Sequence, residues 1–135
     1  MAQTMHAHIE VKCHGTWQHY ANPIVKRGHG LFELVDGRDE NSICRHRGLP
    51  KDASLIASAC HHEMSRDGVY DEGWLESGDL PVLQAALYER NPDVIPTGTD
   101  RLDLEHGIFQ TRIAGHRIAE HRTFEDSRIV FWFNG

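Results

Sequence analysis

The sequence predicts one α+β domain: a mainly antiparallel sheet with an N-terminal hairpin and a C-terminal strand, and two helices packed on it. Three observations predict this class. The chain opens with alternating apolar and polar residues, closes with a run of β-forming residues, and carries two segments with helix start and stop signals between them. Its 135 residues, 39% hydrophobic and 25% charged, are typical of a single globular domain, so we expect residues 1–135 to share one core.

The opening strand alternates with period two. One face carries Ala7, Ile9, Val11 and Cys13, and the other carries His6, His8, Glu10 and Lys12. His14-Gly15 then supplies a two-residue turn into a second strand, residues 16–20. This hairpin would place Cys13 opposite Thr16, Lys12 opposite Trp17, Glu10 opposite His19 and His8 opposite Ala21. We therefore expect His6, His8, Glu10 and His19 to share one face of the sheet.

Two helices are expected between the hairpin and the closing strand. The first follows Arg47-Gly48-Leu49-Pro50, with Asp52 as its N-cap and an inward apolar stripe of Leu55, Ile56 and Ala59, with Cys60 as a further candidate. The second has Asp79 as a candidate cap and Pro81 in its first turn, repeats Leu80, Leu83 and Leu87 at helical spacing, and stops at Asn91-Pro92. The pattern of residues 30–35 fits either a strand or one helical turn. The pattern of residues 103–121 fits either helix or sheet.

The closing strand, residues 128–134, is a nearly continuous run of apolar β-formers. Such a run indicates an interior strand that is covered on both faces. Glu125 and Asp126, just before it, are expected to form a turn with local ion pairing to Arg128. We expect this strand and the opening hairpin to lie in the same sheet.

Charge, apolar run length and cysteine content argue against several classes of protein. Fourteen basic residues, scattered along the chain, stand against twenty acidic ones, a formal net charge of −6 that disfavours nucleic acid as the main partner. No stretch approaches the roughly 20 apolar residues that span a bilayer, and no signal-peptide pattern opens the chain. The odd number of cysteines argues for reduced thiols. These features predict a soluble cytoplasmic protein, without a membrane partner.

The strand-borne histidines are the first candidate site. His6 and His8, with His19 and Glu10 opposite, could act as metal ligands or as an acid–base pair. The alternative is a solvated polar face, and His-x-His alone is a weak signal. The cysteine–histidine neighbours, such as Cys60-His61, match no zinc-site spacing, so neither a metal nor another cofactor is expected.

A second candidate site is the basic segment before the first helix. Arg47 and Lys51 flank the expected helix start, where free N–H groups could hold a phosphate or a carboxylate. The alternative is solvated charge, and no Gly-rich nucleotide motif is present. Trp74, beside carboxylates, is a candidate binding lip or a tryptophan that packs over the edge of the core.

Several of these segments together resemble a family of small uncharacterised proteins from bacteria and their phages. The matching segments are Met-His-x-His-x-Glu-Val-Lys from Met5, Gly15 with Trp17 and His19-Tyr20, Leu31-Phe32, Arg-Gly-Leu-Pro-x-Asp from Arg47, Trp74-Leu75, and Phe124 to Asn134. The resemblance implies that residues 1–4 are a disordered extension. The chain departs from it at Asp71-Glu72-Gly73, where relatives carry His-Ser, and at a shortened turn, Gly37-Arg38-Asp39.

The resemblance implies a phage or prophage accessory protein in the host cytoplasm. Since no catalytic motif is complete, we expect it to bind a host protein or a small anionic ligand, as an inhibitor or counter-defence protein, through Arg38, Arg47 and Trp74. The alternative is a small metal- or histidine-dependent hydrolase that uses His6, His8 and His19. A structural or assembly protein is a third possibility. Neither the oligomeric state nor the ligand follows from the residues.

Overall fold

The computed structural model describes residues 3–22, 31–37, 42–43, 47–76, 78–90 and 125–135. In chain order, the described elements are β1 (Thr4–Cys13), β2 (Thr16–Ala21), α1 (Leu31–Val35), α2 (Leu55–Met64), a 3-10 turn (Ser65–Asp67), β3 (Tyr70–Glu76), α3 (Asp79–Arg90) and β4 (Asp126–Asn134). The four strands form one antiparallel sheet in the order β2-β1-β4-β3. The predicted α+β class, with its N-terminal hairpin and C-terminal strand, is confirmed. Arg38 and residues 103–121 lie outside the described residues.

The two ends of the described chain meet in the middle of the sheet. β1 pairs with β4 from Thr4↔Asn134 to Lys12↔Asp126, which confirms that the hairpin and the closing strand share a sheet. All five side chains from Ile129 to Phe133 are buried, as expected of a strand covered on both faces. Because Thr4 already belongs to β1, the expectation that residues 1–4 form a disordered extension is wrong for Thr4.

One face of the sheet, the apolar face, holds the hydrophobic core. Its side chains alternate along the strands, and α1 and α3 cover them; the buried members are Met5, Ala7, Leu75, Ile129, Phe131 and Phe133 from the strands, with Phe32, Leu34, Val35, Leu83 and Leu87 from the helices. The open choice at residues 30–35 is thus settled as a short helix. α3 begins at Asp79 itself and is described to Arg90. The stop predicted at Asn91-Pro92 lies outside the described residues. Within the described part of the chain, no helix has the length and apolar character to cross a membrane.

The hairpin turn follows its sequence signal. His14 and Gly15 both have positive φ, 52° and 78°, as two-residue hairpin turns of this hand require. The predicted pairs Cys13↔Thr16, Lys12↔Trp17 and Glu10↔His19 are confirmed, but His8 opposite Ala21 is wrong. Ala21 lies opposite Ile9, because an irregularity between Ile9 and Glu10 shifts the register by one residue.

β3 was not expected from the sequence, because Asp71-Glu72-Gly73 contains no β-forming residue. Asp71 has a positive φ of 52°, and the register against β4 shifts between Tyr70 and Gly73. Beyond this irregularity, β3 follows the ordinary alternation. Leu75 enters the apolar core, and Trp74 lies opposite Val130 on the other side of the sheet.

Candidate functional site

The second face of the sheet, here called the polar face, carries the histidines that the sequence singled out. It is formed by His6, His8 and Glu10 of β1, His19 of β2, and Arg128 and Trp132 of β4. Their common face was predicted, but the burial of His8 and Glu10 was not. His8 is 3% exposed and Glu10 is fully buried, so the alternative of a solvated polar face is wrong for these two side chains.

Trp132 is the centre around which the imidazoles gather. The ring of His8 stacks on its indole with centroids 5.0 Å apart, and the ring of His6 lies parallel at 6.4 Å. From α2, the ring of His61 meets the indole edge-on at 5.1 Å. His6 is also anchored to the end of β4, because its Nε2 lies 2.9 Å from Asn134 Oδ1. Three imidazoles therefore enclose one buried indole.

Asn22 joins two of the histidines, and the shifted hairpin register brings it there. Its amide nitrogen donates to the carbonyl of Ala7, which fixes the orientation of the amide. The same nitrogen lies 2.9 Å from His8 Nδ1, and Asn22 Oδ1 lies 2.9 Å from His19 Nε2. His8 Nδ1 is therefore an acceptor and His19 Nε2 a donor. The only sequence signal for Asn22 was Asn22-Pro23, which marks the end of a strand and gives no role to the side chain.

His8 is uncharged at neutral pH. The pKa of His8 is lowered from 6.5 to about 4, mainly by burial and in part by the neighbouring His19, whereas the carboxylate of Glu10 acts in the opposite direction. Because Nδ1 accepts a hydrogen bond from Asn22, the proton of the neutral ring is on Nε2.

Both carboxylate oxygens of Glu10 form hydrogen bonds within the fold. One of its oxygens accepts from Arg128 Nε at 2.8 Å and the other from the backbone N–H of Ser54 at 2.6 Å. Arg128 also donates to the side chain and to the carbonyl of Asp52, and its guanidinium lies 3.9 Å from the centre of the Trp17 ring. The expected local pairing of Arg128 with Glu125 and Asp126 is therefore replaced by contacts to β1 and to the start of α2.

The arrangement gives little support to a metal site at His6, His8, Glu10 and His19. Both Glu10 oxygens and one ring nitrogen of each histidine are engaged in hydrogen bonds. Among the residues that the structure describes, no group of three or more His, Cys, Asp or Glu side chains could hold a metal ion.

The start of α2 was a candidate anion site, and in the structure a carboxylate of the chain itself lies there. The N-cap is Ser54 and not Asp52, because the Ser54 hydroxyl accepts from Ala57 N. The backbone N–H of Ser54 meets the buried carboxylate of Glu10. Glu10 thus occupies a helix start where the sequence suggested an external phosphate or carboxylate.

Arg47 and Trp74 are brought together, but in contacts within the fold. Arg47 Nη1 donates to the Trp74 carbonyl at 2.9 Å and to Asp79 Oδ2 at 2.8 Å, and the guanidinium lies 5.6 Å from the centre of the Trp74 ring. Gly48 N donates to the Glu72 carbonyl, so this segment runs along β3. The guanidinium therefore ties β3 to the start of α3, whereas the histidines gather around Trp132.

The helix α2 presents its apolar side to solvent. Leu55 is 86% exposed and Ile56 51% exposed, and Ala59 is exposed as well, so the predicted inward stripe is wrong. The side that meets the sheet carries the fully buried Ala57 and the half-buried His61. The reason is the chemistry of the polar face, where an ion pair and imidazoles need a small residue and a polar ring opposite them.

Comparisons of the chain with protein-family models, with curated proteins and with solved structures found no match.

Proposed function

We propose that this protein acts by binding a partner protein, and that the docking surface is the outward side of α2, formed by Leu55, Ile56 and Ala59. The main observation that supports this proposal is that Leu55 is 86% exposed. By contrast, Leu34, Leu75, Leu83 and Leu87 are each at most 2% exposed. Adjacent apolar side chains held in solvent on a helix are a feature of protein interaction sites.

The surface is preformed, which favours binding. Ser54 at the N-cap is bonded to the buried Glu10, and His61 packs on Trp132, so both halves of α2 are attached to the sheet. A partner would not have to order this helix, and binding would avoid that entropic cost. The formal net charge of −6 favours a partner with an apolar groove and a basic rim, because opposite charges accelerate association.

The resemblance to bacterial and phage proteins supports a host protein as the partner and an inhibitory or counter-defence role. Arg38, Arg47 and Trp74 remain proposed contacts for an anionic ligand, although Arg47 would have to exchange its bonds to Asp79 and Trp74.

The test compares variants of the full chain in capture from host lysate, followed by titration of the purified captured protein. Leu55→Asp should weaken the complex by about tenfold or more, as loss of an apolar anchor does. Val82→Asp, at a 57% exposed position of α3, is the matched control and should bind normally. Equal binding by both variants, or no captured protein at all, contradicts the proposal. So does a dimer of the chain that Leu55→Asp dissociates.

A second candidate function, histidine-dependent hydrolysis without a metal, is favoured by one observation. Asn22 Oδ1 holds His19 Nε2, which leaves His19 Nδ1 with a free lone pair as a candidate general base. A panel of phosphate and carboxylate esters tests it. Activity that survives chelation, is lost in His19→Ala and persists in His14→Ala would support this function, and a blank panel would remove it.

A further inference from the structure

Two buried nitrogen atoms lack a hydrogen-bond partner in the part of the chain that the structure describes, Trp132 Nε1 and His61 Nε2. Buried donors are almost always paired in native proteins, so an unpaired one calls for an explanation. Trp132 is fully buried, and its indole N–H is not exposed to solvent. His61 Nε2 lies 3.4 Å from a carboxylate oxygen of Glu72 but makes no hydrogen bond to it.

The two unpaired nitrogens belong to rings in direct contact. The ring of His61 meets the indole of Trp132 edge-on, with centroids 5.1 Å apart. His8 stacks on the same indole and, from its bond to Asn22, carries its proton on Nε2. The indole of Trp132 therefore lies between two imidazoles, and one of them, His8, carries an N–H at Nε2.

The Glu72 carboxylate lies 3.4 Å from His61 Nε2, and two other acceptors beside His8 are already used. Both oxygens of Glu10 are bonded to Arg128 and to Ser54 N, and Asn22 Oδ1 is bonded to His19. The chemistry that would complete such a site is an oxygen acceptor brought from outside. The half-buried rings of His6, His19 and His61 border the buried pair His8 and Trp132, which leaves the junction near the surface.

We propose that the junction of Trp132, His61 and His8 is a binding site for a small oxyanion, a carboxylate or a phosphate group, which accepts from the indole N–H and from His61. The site lies between α2 and β4, on the inner side of the helix. It is independent of the docking surface proposed above, so either proposal can fail without the other.

The indole N–H itself is the most direct reporter. The chain has three tryptophans, Trp17, Trp74 and Trp132, so the full chain labelled with 15N-tryptophan gives three indole signals. Substituting each tryptophan by phenylalanine assigns them. Inorganic phosphate and acetate are titrated separately at constant ionic strength, balanced with sodium chloride. We expect a saturable shift of the Trp132 signal with one or both anions, while the Trp17 and Trp74 signals stay in place.

Two variants decide whether the site is the one proposed. His61→Ala should lower the affinity for the anion by about tenfold, as expected for loss of one charge-assisted hydrogen bond. His62→Ala, at the exposed neighbouring position, should bind like the parent chain. If His61→Ala does not fold, as three collapsed indole signals would show, His61→Phe takes its place, because it keeps the ring and removes the nitrogen. The absence of a saturable shift, parallel shifts of all three indoles, or unchanged affinity in the His61 variant overturns the proposal.

Discussion

Glu10 and Arg128 are separated by 118 residues in the chain, and their side chains meet at 2.8 Å inside the fold. Both are almost entirely removed from solvent, at 0% and 7% exposure. The pair joins β1 to β4 on the polar face. Through Ser54 N and Asp52, the same two side chains also hold the start of α2. A polar contact therefore positions the helix that an apolar stripe was expected to position.

Replacing Glu10 by glutamine should be strongly destabilising. The buried guanidinium of Arg128 would lose its only buried counter-charge among its described partners, since Asp52 is 68% exposed. Removing one member of such a pair costs about 3 kcal/mol in the free energy of unfolding. Urea unfolding measures the loss, and Glu33→Gln on the exposed side of α1 is the control.

The double variant Glu10→Met/Arg128→Met should lose less stability than Glu10→Gln, because neither charge is then left alone. A change in Glu10→Gln within about 0.5 kcal/mol, the range of ordinary surface substitutions, would show that the pair does not hold the sheet and α2 together.

The stability of the protein should fall as the pH drops from 6.5 to 4, and His8 should contribute to that fall. Because the folded-state pKa of His8 is about 4 against an ordinary value of 6.5, the unfolded chain binds a proton in this window and the folded chain does not. The contribution of His8 is intact above pH 6.5 and lost progressively below it, by about 3 kcal/mol in all at this pKa difference.

Denaturant unfolding between pH 4 and pH 7.5 tests this for the parent chain, His8→Gln and His62→Gln. The other titratable groups facing His8, which are His19, His6 and Glu10, remain in every variant. The slope should become shallower in His8→Gln alone. An equal slope in His8→Gln and the parent chain would mean that His8 is not held neutral by the fold.

Two alanines of α2 report which side of the helix meets the sheet. Ala57 is fully buried, and Ala59, two residues further on, is exposed. Ala57→Leu should therefore lose about 1–3 kcal/mol of stability through overpacking, and Ala59→Leu should change it little. The predicted inward stripe would demand the reverse order. Thermal or urea unfolding of the two variants distinguishes the two orientations.

This orientation marks where prediction from the sequence ends. The hairpin register near the turn follows from His14-Gly15, and β4 follows from its apolar run, because both signals are local. The side of α2 that is buried depends on Glu10 meeting Arg128, a long-range pairing that no local pattern encodes. The role of Asn22 depends on a one-residue shift in the hairpin, and apolar periodicity reports such shifts poorly.

Gly73 provides a test of how closely β3 approaches β4. A β-carbon added at Gly73 would lie 2.9 Å from Cζ of Phe131, and that ring is itself fully buried, in contact with Phe133. The backbone at Gly73 does not have a positive φ, so an alanine would be strained by this contact and not by its own conformation. We expect Gly73→Ala to lose about 1–3 kcal/mol in the free energy of unfolding, as overpacked core positions do.

Gly78→Ala is the matched control, because nothing lies within 4 Å of the added carbon there, and its stability should stay near that of the parent chain. Equal stabilities in urea unfolding would mean that β3 can move away from Phe131 at no cost, and that the sheet is less tightly packed at this strand than the contact implies.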